Sequence, residues 1–226
     1  MKLKAASDSS LLVEIGSAIT PLVEARVLGL FRALQELADP RIRNLHPGYV
    51  SLLVDFHPLE INHAQVAELV EAAALAPRRL TLGELAVVDI PVCYDAEFGP
   101  DQVEVADHAR LSVNELIRLH STADYYVSFL GFTGGFAYLR GMPEILSMPR
   151  LPTPRRSVAA GSIGIAGSQT GIYPTVTPGG WRLIGRSPLR MFDPHRSQPT
   201  VLLPGNRVSF VPVDRTEFER ILREQG

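Results

Sequence analysis

Beyond Pro91 the chain is cut by Gly and Pro into short apolar runs, and this punctuation restricts most of that half to short strands joined by shaped loops. Runs at 125–130, 162–166, 171–174, 181–185 and 208–213 read as strands. Many short strands broken in this way favour a closed or nearly closed β-barrel. Helices are confined to the ends of the region. Residues 101–109 hold at least one helical turn, Ser112-Val113-Asn114-Glu115 has capping-box spacing for a helix reaching about His120, and Asp214-Arg215-Thr216-Glu217 caps a terminal helix.

Residues 10–91 follow a different grammar. A short apolar strand at 11–15 precedes a helix at 20–37, where Val23, Val27, Leu30, Leu34 and Leu37 recur at helical spacing behind a Thr20-Pro21 cap. Strands follow at 41–46 and 51–56, then a helix at 62–76, a loop at 77–83 and a closing strand at 85–91. The order β-α-β-β-α-β is that of a ferredoxin-like unit, with two helices on one face of a four-stranded sheet. The chain thus reads as α+β, with a ferredoxin-like α/β domain at 1–85 and a β-barrel domain at 86–226.

Composition narrows the function. A formal charge of −2 argues against a general nucleic-acid binder. The single cysteine, Cys93, excludes an intrachain disulfide and suits a reducing compartment, and no Cys/His spacing suggests zinc or another metal. No run of eighteen apolar residues occurs, so the chain reads as cytoplasmic and not membrane-spanning. Lys2 and Lys4, at a terminus expected to fray, are the only lysines. A phosphate-binding loop of the G-x-x-x-x-G-K-[ST] type is therefore excluded, as is an internal Schiff-base lysine.

Against that neutral background, residues 125–192 hold seven arginines and one acid, Glu144, which points to an anionic ligand such as a carboxylate or phosphate. Phe132, Phe136 and Tyr138 surround the glycines of GFTGGFAYL, either as barrel packing at a bulge or as the wall of a small apolar pocket. Arg150, Arg155 and Arg156 lie in a loop stiffened by Pro143, Pro149, Pro152 and Pro154. Stiffening lowers the entropy lost when a guanidinium clamps a planar anion; a bracing salt bridge is the alternative use. Arg186 is a second candidate, with stacking on Trp181 as its structural role. Gln169 and Thr170, read as a corner between strands, can orient a ligand or satisfy buried backbone. His120, at a helix end, is the best-placed histidine for proton transfer, although a helix C-terminus also favours histidine electrostatically. His46, His57, His63, His108 and His195 suit surface roles. With no carboxylate pair and no Gly-x-Ser-x-Gly elbow in this segment, the chain reads as part of an active site that another chain completes.

The motifs SIGIAGSQTGIYP at 162–174, PGGWRLIGRSPL at 178–189 and FDP at 192–194 closely resemble the 5-oxoprolinase B-subunit family, also called the KipI or allophanate hydrolase subunit 1 family. IPVCYD at 90–95, LHS at 119–121 and LGFTGGFAYL at 130–139 resemble it too. The resemblance implies a cyclophilin-like barrel after the N-terminal domain and a partner of the KipA type, the 5-oxoprolinase C subunit. With a third, LamB-like protein, the A subunit, such pairs are associated with ATP-dependent opening of 5-oxo-L-proline to L-glutamate, with Mg implied for the assembled complex. It leaves open two other roles: inhibition of a sensor histidine kinase through aromatic anchors such as Phe136, Tyr138 or Trp181, and a part in urea or allophanate carboxyl transfer. This chain departs from the family in having Gly134 where a proline is usual, which relaxes the loop by about 0.5–1 kcal/mol, and Arg140 in place of a motif glycine.

Overall fold

The computed structural model describes residues 1–75 and 86–225. The chain divides into two compact units, Met1–Leu85 and Ala86–Gly226.

The first unit runs β1 (Lys2–Ser7), β2 (Ser10–Glu14), α1 (Pro21–Leu37), β3 (Ile42–Pro47), β4 (Ser51–Phe56) and α2 (His63–Leu75). Thr20 caps α1, its side chain accepting from the Val23 amide, and Pro21 supplies the first turn. The strands form one antiparallel sheet in the order β1-β2-β4-β3. Alternation sends Leu11, Val13, Leu52, Val54 and Phe56 to one face, where they pack with Val27, Leu30, Phe31 and Leu34 of α1 and Val66 and Val70 of α2.

Two expectations are corrected here. The terminus holding Lys2 and Lys4 is a paired strand, and Lys4 Nζ lies 2.7 Å from Glu14 Oε1. The strand read at 85–91 does not close this sheet. It is β5 (Val87–Val92), which pairs in parallel with a strand of the second unit, while β1 fills the edge beside β2. Period and composition identify a strand; its partner is set by long-range packing that the local pattern does not encode. The loop read at 77–83 lies outside the described residues.

After β5 come α3 (Gln102–Ala109), α4 (Val113–Thr122), β6 (Tyr125–Leu130), β7 (Ala137–Arg140), β8 (Arg155–Val158), β9 (Ser162–Ala166), β10 (Gln169–Ile172), β11 (Thr177–Gly179), β12 (Arg182–Arg186), β13 (Arg207–Pro212) and α5 (Arg215–Glu224). The capping box of α4 is formed in full by Ser112 and Glu115, and Asp214 caps α5. Seven strands make a sheet in the order β12-β9-β10-β7-β6-β13-β5. Its two ends meet where Cys93 and Arg186 exchange backbone hydrogen bonds of 2.8 and 2.9 Å, so the sheet curls into a nearly closed barrel. Ile90, Val92, Tyr125, Val127, Leu139, Ile163, Ile165, Ile184 and Phe210 are among the side chains that fill it. β8 and β11 form a separate two-stranded ribbon.

Candidate functional site

Strand alternation separates the barrel interior from a second apolar cluster on its outer face. Ala137 and Leu139 of β7, Ile163 and Ile165 of β9 and Ile172 of β10 belong to the interior. The intervening positions, Tyr138, Gly164 and Gly171, face outward. Gly164 and Gly171 are register partners across β9 and β10. A Cβ on Gly164 would meet Trp181 Cβ at 2.9 Å, and one on Gly171 would meet the Phe136 and Trp181 rings at 3.1 Å. The bare strip lets these rings lie against the sheet. Phe136, Tyr173 and Trp181 are thereby buried with Val158, Ala166 and Leu183. Phe136 sits at the centre, edge-on to Tyr138, Tyr173 and Trp181 at centroid distances of 5.0, 5.3 and 5.3 Å.

These rings floor a pocket of about 290 Å³, which Phe132, Arg150, Pro154, Pro178, Gly179 and Gly180 complete. Its volume suits a small molecule, and half of its lining residues are aromatic, with one cation. The loop before β7 is built for the site. Phe136 donates its amide to Thr133 O at 3.1 Å, and Gly135 has φ of 81°, the pattern of a type II turn with Gly134 at the position that favours proline. Phe132, just before it, is 63% exposed and held at φ 66°, a left-handed conformation unusual for an aromatic residue.

The proline-rich loop delivers Arg150. Leu151 donates its amide to Gly180 O at 2.7 Å, and Arg182 Nε donates to Pro149 O at 3.3 Å, which fixes the backbone on either side of residue 150. The exposed Arg150 guanidinium then lies 5.9 Å from the Trp181 ring centroid, facing the pocket. Arg155 has the bracing role instead of a ligand role. It donates to Asp101 Oδ1 at 2.7 Å and to Trp181 O at 3.2 Å, and Asp101 Oδ2 accepts the Leu183 amide at 2.6 Å. Arg182 is similarly engaged with Glu104. The start of α3 thus anchors both edges of the pocket through two arginines. Arg156, next to Arg155, is exposed and does not line the pocket.

His120 is fully buried in the barrel core. Thr170 donates to Gly164 O at 3.0 Å, so its oxygen accepts from His120 Nε2 at 3.1 Å, and His120 Nδ1 accepts from the Tyr94 hydroxyl at 2.9 Å. This one-way chain fixes a neutral tautomer. Burial brings the imidazole pKa down to about 3. The ring also stacks on Phe210 at 4.7 Å. His120 and Thr170 form a core hydrogen-bond chain outside the aromatic pocket. Gln169 opens β10 directly after the Gly167-Ser168 turn, opposite Ala166, and does not line the aromatic pocket. Arg186 packs over Phe98, not Trp181, donates to Ala160 O at 2.8 Å and borders a different hollow.

Of the residues read as ligand-binding, the pocket gathers Phe132, Phe136, Tyr138 and Arg150. Sequence reasoning missed Tyr173, Pro154, Pro178, Gly179 and Gly180 as lining residues, and took Trp181 for a stacking partner or a docking anchor and not for part of a pocket. The Gly-Gly-Trp run was the available signal, because paired glycines beside an aromatic mark close approach of backbone and ring. Among the described residues no group of three or more His, Cys, Asp or Glu side chains is placed to hold a metal ion.

An aromatic floor with a guanidinium at its edge can stack a small planar ring and clamp an attached carboxylate. Residues 1–202 match the model of the carboxyltransferase domain, subdomain C and D. The chain is 36% identical to the 5-oxoprolinase B subunit of Bacillus subtilis strain 168, over 97% of this chain and 95% of that protein. It is 39% identical to the 5-oxoprolinase B subunit of Escherichia coli O157:H7, over 91% and 93% respectively. The crystal structure of TTHA0988 superimposes with a TM-score of 0.80 at 35% identity, covering 91% of this chain; the chain spans 40% of that longer one. The chain belongs to the 5-oxoprolinase B-subunit family, within the carboxyltransferase subdomain C and D group.

Proposed function

We propose that this chain is the B subunit of a 5-oxoprolinase and that its aromatic pocket binds the five-membered lactam carboxylate whose ring is opened to glutamate. The observation that supports this reading is Arg150 held beside Trp181 at the mouth of a pocket whose only other polar side chains are tyrosines. The aromatic lining suits a flat five-membered ring, and Arg150 suits its carboxylate. A lactam is a stable amide, so opening it at neutral pH needs coupling to ATP. The pocket has one cation and no glycine-rich phosphate cradle with a lysine, and ATP with its Mg is assigned to the assembled complex, not to this site. The residues here bind the substrate, orient it and keep water from its ring.

Under this reading the chain works in the cytoplasm with two other proteins, a KipA-type C subunit and a LamB-like A subunit. The barrel is cyclophilin-like, and the first unit is a ferredoxin-like variant in which β1 takes the edge place beside β2. Fold alone carries no prolyl isomerase activity with it. Kinase inhibition is the less favoured role, since of the anchors Phe136, Tyr138 and Trp181 the first and last are 1% and 5% exposed and Tyr138 is half-buried. ATP-dependent glutamate release by the three subunits, with and without this chain, tests the proposal; an unchanged rate without it would end the reading.

A further inference from the structure

Two hydroxyl groups border the aromatic pocket, and they differ in how they are held. Tyr138 is half-buried, its ring stacked on Phe129 at 4.6 Å. Tyr173 is 1% exposed, its ring fixed edge-on against Phe136 at 5.3 Å, and its hydroxyl lies against Gly179, where any Cβ would collide with it. Gly179 thus leaves the room that the hydroxyl occupies in the pocket wall. Burial holds that phenol protonated, outweighing the Trp181 backbone, which favours its ionisation. A protonated phenol set in the wall of a pocket has its own proton to give.

We propose that Tyr173 donates a hydrogen bond to the ring carbonyl oxygen of the bound lactam carboxylate while Arg150 takes the carboxylate, so that the two fix which way round the ring lies. This rests on the reading of the pocket as a lactam site. Burial holds the Tyr173 phenol above its ordinary pKa, against smaller opposing effects of Arg150 and Arg155. At neutral pH it is a protonated donor, not a phenolate. Its proton is shared and not transferred, and in a water-poor aromatic site such a donor favours the negative charge that gathers on the carbonyl oxygen as the amide is attacked.

Three ligands separate the roles: 5-oxo-L-proline, 2-pyrrolidinone, which has the carbonyl but no carboxylate, and cyclopentanecarboxylate, which has the carboxylate but no carbonyl. Their dissociation constants are measured on the chain assembled with its partner subunits, for the wild type and for Tyr173→Phe, Tyr138→Phe and Arg150→Gln. Tyr173→Phe keeps the packed ring, and a thermal melt checks that it folds. It is expected to weaken 5-oxo-L-proline and 2-pyrrolidinone by roughly 10-fold and leave cyclopentanecarboxylate unchanged. Arg150→Gln is expected to weaken the two carboxylates and spare 2-pyrrolidinone. Equal weakening of all three ligands by Tyr173→Phe, no weakening of any, or transfer of the carbonyl-dependent loss to Tyr138→Phe overturns the assignment and leaves the lactam site standing. A wild-type complex that binds none of the three overturns both.

Discussion

Gly164 and Gly171 face each other across β9 and β10, and the Trp181 and Phe136 rings rest on the strip they leave bare. A methyl group at residue 171 would also meet Ala137 O at 3.0 Å, and backbone cannot step aside. Gly171→Ala is therefore expected to destabilise the barrel by about 1–3 kcal/mol and to lift the aromatic floor. Chemical denaturation together with ligand titration checks this; wild-type values in both would contradict the close fit.

Gly134→Pro restores the residue usual in the family at the second position of a type II turn, before Gly135 at φ 81°. The added ring has to move Phe192 by a few tenths of an ångström, since a Cβ at residue 134 lies 3.0 Å from it. A gain of about 0.5–1 kcal/mol is expected, read as a higher melting temperature. A loss would mean that Phe192 does not yield.

Asp101→Ala removes the acceptor that serves both Arg155 and the Leu183 amide. Arg155 is partly exposed, so water recovers some of its charge, and the expected cost is about 1–3 kcal/mol. Because Arg155 also holds Trp181 O, ligand affinity should fall although residue 101 does not line the pocket. A double-mutant cycle with Arg155→Ala should return coupling between the two positions; additive effects would refute the clamp.

The buried His120 sets an acid limit. Its pKa is about 3 in the folded chain against 6.5 for the free side chain, so between those values the unfolded chain takes up a proton that the folded one refuses. Stability is independent of this group above about pH 6.5 and falls as the pH drops toward 3, with a slope approaching about 1.4 kcal/mol per pH unit. His120→Gln, which can keep an amide donor and acceptor in the core, should flatten the upper part of that slope, before the carboxylates titrate. Denaturant midpoints at pH 7, 6 and 5 make the comparison.

What the sequence made legible was local. The Thr20-Pro21 start of α1 and the Ser112–Glu115 box of α4 are contacts within one turn, and both are present. Phe132, Phe136 and Tyr138 read as a wall because they stand close in sequence, and all of them do meet in the pocket. Arg150 and Arg155 are five positions apart in one arginine-rich loop, yet only Arg150 reaches the pocket. The difference is Asp101, which no local pattern ties to residue 155. Tyr173 was hidden for the same reason, since its place in the pocket wall depends on Gly179 arriving from β11. The strand at 87–92 was visible as a strand, but its neighbour comes from the far end of the chain.

That neighbour has a consequence for how the polypeptide is made. β5 pairs with β13, residue 87 opposite residue 207, and β13 also lies between β5 and β6. On the ribosome β5 emerges early and waits without its partner until the last strand has been synthesised, while the four strands and two helices of the first unit are already complete. Val88, Ile90 and Val92, bound for the barrel core, stay unprotected through that interval, which makes this strand the one a nascent-chain chaperone has most reason to cover.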